Sequence, residues 1–177
     1  MKIDLQSFFL ENPSPLKLFA LNKLFNILLP FNRPHHVQLV EIEPKNRVCA
    51  LLPFKRYNYN HLKTMHACAI VLAGEFVAGV LLLGYIQTKQ YRLIMKKLEV
   101  DYLQKATTDI YAICQANELN QKNLQQIHNL EEFLQTNDES VHIQLETTLM
   151  DSSRKNVFAV VKTTWHIKSW EKIRNKI

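Results

Sequence analysis

Glycine is scarce in this sequence: there are three in 177 residues, Gly74, Gly79 and Gly84. A GxGxxG dinucleotide loop, a phosphate loop ending in Gly-Lys and a GxSxG nucleophile elbow all need glycines at set spacings, and none of the three is written here. HExxH is absent as well. Cysteine is equally rare and odd in number, at Cys49, Cys68 and Cys114, with no CxxC pair. That excludes a disulfide framework and a zinc ribbon, and it fits a reducing, cytoplasmic setting. His35-His36 has no acid or cysteine at ligand spacing, so no metal is expected. The stretch before Pro15 holds Asp4 and Glu11 and no long apolar run, so it does not read as a secretory leader.

What is present is ordinary for a globular chain: 47% hydrophobic and 21% charged residues. The length suits one domain over residues 1–177, with a helical N-terminal segment over 1–32 and a basic tail over 168–177. The net charge of +6 suits an anionic partner: nucleic acid, a membrane surface or a phosphorylated small molecule. A solvated basic surface explains it equally well. Nucleic acid is set aside, because no strand face interleaves aromatic and basic residues.

Residues 1–30 read as an amphipathic helix broken at Pro13 and Pro15 and ended by Pro30, with Leu16, Phe19, Leu24 and Leu28 at helical spacing. It caps the core or docks on a membrane or partner. Residues 36–43 and 47–54 alternate as two strands about a turn at Pro44-Lys45-Asn46. Strands follow at 91–104 and 108–116, joined tightly at Ala106-Thr107. A helix at 120–135 carries Leu124, Ile127, Leu130 and Leu134 on one face. Val141, Ile143, Leu145, Thr147 and Leu149 then alternate with polar neighbours. After a turn at Asp151–Lys155, Val157, Ala159, Val161, Thr163 and Trp165 form one face of a last strand.

The centre of the chain is a long apolar helix beginning near His61. From Ala67 to Ile86 its only charged side chain is Glu75. Twenty residues at a rise of about 1.5 Å make about 30 Å, enough to cross a bilayer. A lone acid at mid-span is costly in lipid, and the alternating strands that follow argue for a sheet around this helix instead. A helix with no polar stripe needs sheet on most of its circumference. The expected class is therefore α+β, one curved antiparallel sheet wrapped around one helix, with no membrane span.

The run Asn60-His61-Leu62-Lys63-Thr64-Met65-His66-Ala67-Cys68-Ala69, followed by Gly74-Glu75, resembles the N-x-x-G-x-x-H-[GA]-x-A…[DE] signature of hot-dog acyl-CoA thioesterases of the phenylacetate-pathway type. It is more closely similar to the DUF4442 family, whose pattern Pro30-Phe31-Asn32, Arg56, Val100–Ala106 and Thr164-Trp165 also fit. The likeness covers nearly the whole chain. Three positions depart from the signature: its glycine three residues before the histidine is Lys63, and the glycine pair after it is Ala67-Cys68. The Asp-x-x-x-x-His dyad of hot-dog hydratases occurs nowhere.

The resemblance implies a hot-dog fold and an acyl-CoA thioesterase working as a homodimer, with a tetramer as a further assembly. No cofactor is implied; coenzyme A enters only as part of the substrate. Thioester hydrolysis needs a donor for the carbonyl oxygen and a carboxylate to activate water or attack. The backbone N–H of Ala67 stands at the family's oxyanion position, and Glu75 at the position of its acid. Eight residues of helix set them about 12 Å apart along the axis. They converge only if Glu75 faces the helix start of another subunit, so the chemistry requires a symmetric dimer.

Each candidate has two readings. Glu75 is catalytic, or a buried acid with a structural partner. His66 is catalytic, or caps the helix. Asn60 positions substrate, or caps the helix. Lys55, Arg56 and Lys63 attract the phosphates of coenzyme A, or are surface charge. Cys68 stands with these cations on the substrate side. The alternative to an enzyme is a non-catalytic module of the same fold that binds an acyl ligand or a protein.

Overall fold

The computed structural model describes residues 13–118, 121–129, 132–133 and 141–170. Ser14 caps the first helix, α1 (Pro15–Leu28), its hydroxyl accepting the Lys17 N–H at 3.3 Å. Pro15 therefore opens this helix as its first residue, where its missing N–H is no loss. The earlier part of the expected helix, residues 1–12, lies outside the described residues.

Six strands follow: β1 (Gln38–Glu43), β2 (Arg47–Leu52), β3 (Tyr91–Tyr102), β4 (Ile110–Gln115), β5 (Val141–Met150) and β6 (Val157–Ser169). They form one antiparallel sheet in the order β1-β2-β4-β5-β6-β3. The sheet curves around α2 (Ala67–Leu83), which packs on β2, β4, β5 and β6. This is the hot-dog fold.

Eleven of the 17 residues of α2 are buried. The helix lies very close to the sheet: a Cβ on Gly74 would stand 2.7 Å from the Val161 side chain. No larger residue fits there without moving β6. The Thr147 hydroxyl donates to the Gly74 carbonyl at 3.1 Å, which is how a buried threonine on the inner face finds its partner. One stripe of α2 stays partly open. Ala67, Val71, Glu75, Gly79 and Leu83, spaced four apart, are not fully buried, and Cys68 beside Ala67 is exposed as well.

Four local expectations need correction. The central helix starts at Ala67, and 61–66 is a turn. β1 does not alternate strictly, because a register shift between Leu39 and Glu41 puts Leu39 and Ile42 both on the core side. β3 and β4 are not a hairpin. β3 lies at the sheet edge against β6, and residues 103–109 cross back to a β4 that lies between β2 and β5. Lys168 and Ser169 belong to β6 rather than to a tail, and 171–177 lie outside the described residues.

Of the second expected helix, α3 (Gln121–His128) is described, while Leu130 and Leu134 lie outside. It buries Ile127 and donates from Asn123 Nδ2 to the Gln144 carbonyl at 3.3 Å, beside the half of β5 that β4 is too short to pair. No helix among the described residues is long and apolar enough to cross a membrane.

Candidate functional site

Two turns set the start of α2. Asn60 closes the first. Its Oδ1 accepts from the N–H groups of Leu62 (2.9 Å) and Thr64 (3.1 Å), and its Nδ2 donates to Thr64 Oγ1 at 2.8 Å. The turn forces Lys63 to a φ of 55°. That is the left-handed region, where a Cβ is strained and glycine is not. The glycine of the signature thus has a conformational reason, and lysine occupies the same backbone shape here.

The second turn is held by Asn58, which is fully buried. Its Nδ2 donates to the carbonyls of His35 (3.0 Å) and Pro53 (2.9 Å). Its Oδ1 can only accept, so His35 Nδ1, at 2.9 Å, carries the proton. Its own carbonyl accepts the His66 N–H at 2.8 Å. One residue, through its side chain and its own carbonyl, thereby ties the 33–36 loop, the end of β2 and the helix start together. Sequence reasoning missed it, because an asparagine inside the polar stretch 55–60 carries no signal of burial.

His66, not Asn60, caps α2. Its Nδ1 accepts the Cys68 N–H at 3.1 Å, which leaves its own ring proton on Nε2. The His66 carbonyl takes the N–H groups of Ala69 and Ile70. The N–H of Ala67 has no acceptor among the described residues, as the first amides of a helix often do not. Ala67 lines a groove of about 320 Å³ together with Asn60, Thr64, Met65, Ile70 and residues 102–106. The floor is the β3–β4 crossover: Met65 N–H donates to the Ala106 carbonyl at 2.8 Å and Tyr102 Oη to the Ala67 carbonyl at 3.2 Å. Burial, and then the Cys68 thiol beside it, push the Tyr102 hydroxyl above its usual range.

Glu75 lies elsewhere. It lines a groove of about 370 Å³ with Phe25 of α1, Leu29 just past that helix, Phe31, Leu83, Leu93 of β3 and Trp165 of β6. The volume is that of a small-ligand pocket, and the lining is apolar. Among the described residues nothing donates a hydrogen bond to this carboxylate. Burial raises its pKa above the ordinary 4.5.

The expected site residues therefore divide. Asn60 and Ala67 share the helix-start groove, and Glu75 stands in the apolar one. Lys55, Arg56, Lys63 and Cys68 are exposed and line neither. Lys105, which sequence reasoning did not single out, does line the helix-start groove. Among the described residues no three of His, Cys, Asp and Glu gather to hold a metal ion.

A family model, "Domain of unknown function (DUF4442)", matches residues 19–167. Among solved structures, a Pseudomonas aeruginosa protein of unknown function called a probable thioesterase superposes with a TM-score of 0.73. It is 21% identical, over 90% of this chain and 99% of that one. A variant of another Pseudomonas aeruginosa thioesterase gives 0.68 at 12% identity, over 91% and 99%. A Haemophilus influenzae thioesterase gives 0.66 at 10% identity, over 91% and 96%. At such identities the likeness is one of fold. No curated protein matches the chain.

Proposed function

The chain belongs to the DUF4442 family, and from that premise we propose that it is an acyl thioester hydrolase that works as a symmetric dimer. One observation carries the reading. On a single helix, Ala67, whose amide has no acceptor among the described residues, and Glu75, whose carboxylate has no donor among them, line two separate grooves. Each is half of a hydrolytic site. About 12 Å of helix axis separates them within one copy, and two-fold symmetry brings each half against the other's complement. The β3 edge, unpaired among the described residues and bordering the Glu75 groove through Leu93, suits the contact between copies.

In this mechanism the apolar groove takes the acyl chain and the Ala67 N–H takes the carbonyl oxygen. Glu75 of the second copy removes a proton from water as the water oxygen bonds to the carbonyl carbon. The C–S bond then breaks, the acid leaves, and the proton passes to the departing thiolate. The substrate thiol is coenzyme A, its phosphates drawn by Lys55, Arg56 and Lys63 at the rim, with Lys105 at the groove itself and Cys68 beside it. Asn60 holds the turn that aims the Ala67 amide, and His66 holds the helix start.

A non-catalytic acyl-binding module is the second reading. It is favoured by His66, whose ring nitrogen is occupied in capping. Hydrolysis of acyl-CoA esters across a range of chain lengths, by the wild type and Glu75→Gln, separates the two. Turnover that drops with the variant supports the hydrolase. Equal rates rule out this mechanism, and ligand returned intact from the wild type assigns the binding module.

A further inference from the structure

We propose that the outer face of α1 and the turns beside it form a docking surface for an anionic lipid bilayer. Helix α1 is apolar on two opposite sides. Leu21 and Phe25 face inward and are buried. At about 100° per residue, positions 16, 19, 20, 23 and 27 fall within about 100° of arc on the other side. There Leu16, Phe19 and Ile27 are 61–77% exposed. The one charge among them is Lys23, whose Nζ lies 5.4 Å from the Phe19 ring centroid. The surface continues past the helix. Phe31 is 74% exposed. α1 touches the 33–35 turn, which touches the 56–58 turn, and the His36 ring lies 4.9 Å from that of Tyr57.

The net charge of the chain falls in the stretch of sequence that includes this surface together with β1 and β2. Residues 13–74 hold eight Lys or Arg and two Glu, a net of +6 that equals the net charge of the whole chain. The two acids, Glu41 and Glu43, are both ion-paired with Arg47. A helix face with three large apolar side chains in water is unfavourable unless something covers it. A second copy is a poor cover, because a two-fold contact here sets cation against cation. A bilayer with anionic headgroups accepts both features at once: its apolar interior takes Leu16, Phe19 and Ile27, and its phosphates take Lys23 and Arg33. Phe31 belongs to this surface and also lines the Glu75 groove, so an acyl chain leaving the bilayer would enter beside it. The docking itself is independent of the hydrolase reading and is measured without a thioester.

The test is flotation of the full chain with phosphatidylcholine vesicles, with and without roughly a third of phosphatidylglycerol. Wild type is expected to bind the anionic vesicles at least about tenfold more tightly than the neutral ones, and to release them as salt rises. Phe19→Ser with Ile27→Ser, two exposed positions outside the core, should weaken binding at least about tenfold, with Lys23→Glu acting in the same direction. Equal binding to both vesicles, no binding to either, or unchanged binding by the variants overturns the proposal. So does a fall in oligomeric mass of the double variant with flotation unaltered, which would assign the face to a second copy.

Discussion

At its start, α2 is held by hydrogen bonds that account for nearly every polar group. The Asn58 side chain satisfies one ring nitrogen and two backbone carbonyls, Asn60 closes its own turn, and His66 caps the Cys68 amide. In its middle, Glu75 has an apolar groove around it and no donor among the described residues. The first region spends polar residues on geometry and leaves one N–H open. The second leaves a charged group in want of a partner. Buried polar groups that are fully satisfied specify structure, whereas a perturbed acid without a structural partner marks a functional candidate. The same helix thus carries a rigid end and a reactive middle.

Glu75→Gln tests the reactive region and carries the largest expected effect, a fall of about 10²- to 10⁴-fold in thioester turnover. Its stability should move the other way. Burial raises the Glu75 pKa above 4.5, so between the ordinary and the raised value the folded chain holds a proton that the unfolded chain has released. That contribution is present below the ordinary value and is lost as pH rises through the raised one. Thermal unfolding of the Gln variant from about pH 4 to about pH 8 should show a flatter profile and a higher midpoint at the alkaline end. A variant less stable than wild type there would mean that Glu75 has a structural partner, and the contrast between the two regions would fail.

The rigid end is tested next. Asn58→Ala strands the His35 ring Nδ1–H and the carbonyls of His35 and Pro53, and should cost about 3 kcal/mol in urea unfolding. His66→Ala should cost about 1 kcal/mol, the usual worth of a cap, with turnover down less than about tenfold. A fall of hundreds-fold at unchanged stability would move His66 from the rigid end to the reactive one. The smallest effect is a gain: Lys63→Gly relieves a positive φ and should stabilise by up to about 1 kcal/mol.

Patterns of burial were legible wherever a face was uniform. β5 alternates as read, from Val141 to Leu149, and Glu75 stands alone in α2 as read. The irregular places were not legible. A bulge at Val40 or Lys96 depends on how two strands meet, and neither strand carries the mark alone. The β3–β4 hairpin failed because nearness in sequence favours pairing, while both edges of β4 are taken by β2 and β5 and β3 pairs with the long β6 instead. Six residues before Ala67 were read as helix because the apolar run was extended back to His61; the Asn60 turn holds them elsewhere.

Hydrophobic patterning by itself determined the layers of this protein: a nearly all-apolar helix of this length has to be wrapped, and strands of period two are what can wrap it. Which candidate residues meet was left to the tertiary structure. Side chains such as Asn58 and Tyr102 acquire their partners only when distant loops are brought together by closure of the sheet. The spacing of eight residues puts Ala67 and Glu75 on one helix, and only the curvature of the sheet leaves both of them uncovered, in separate grooves.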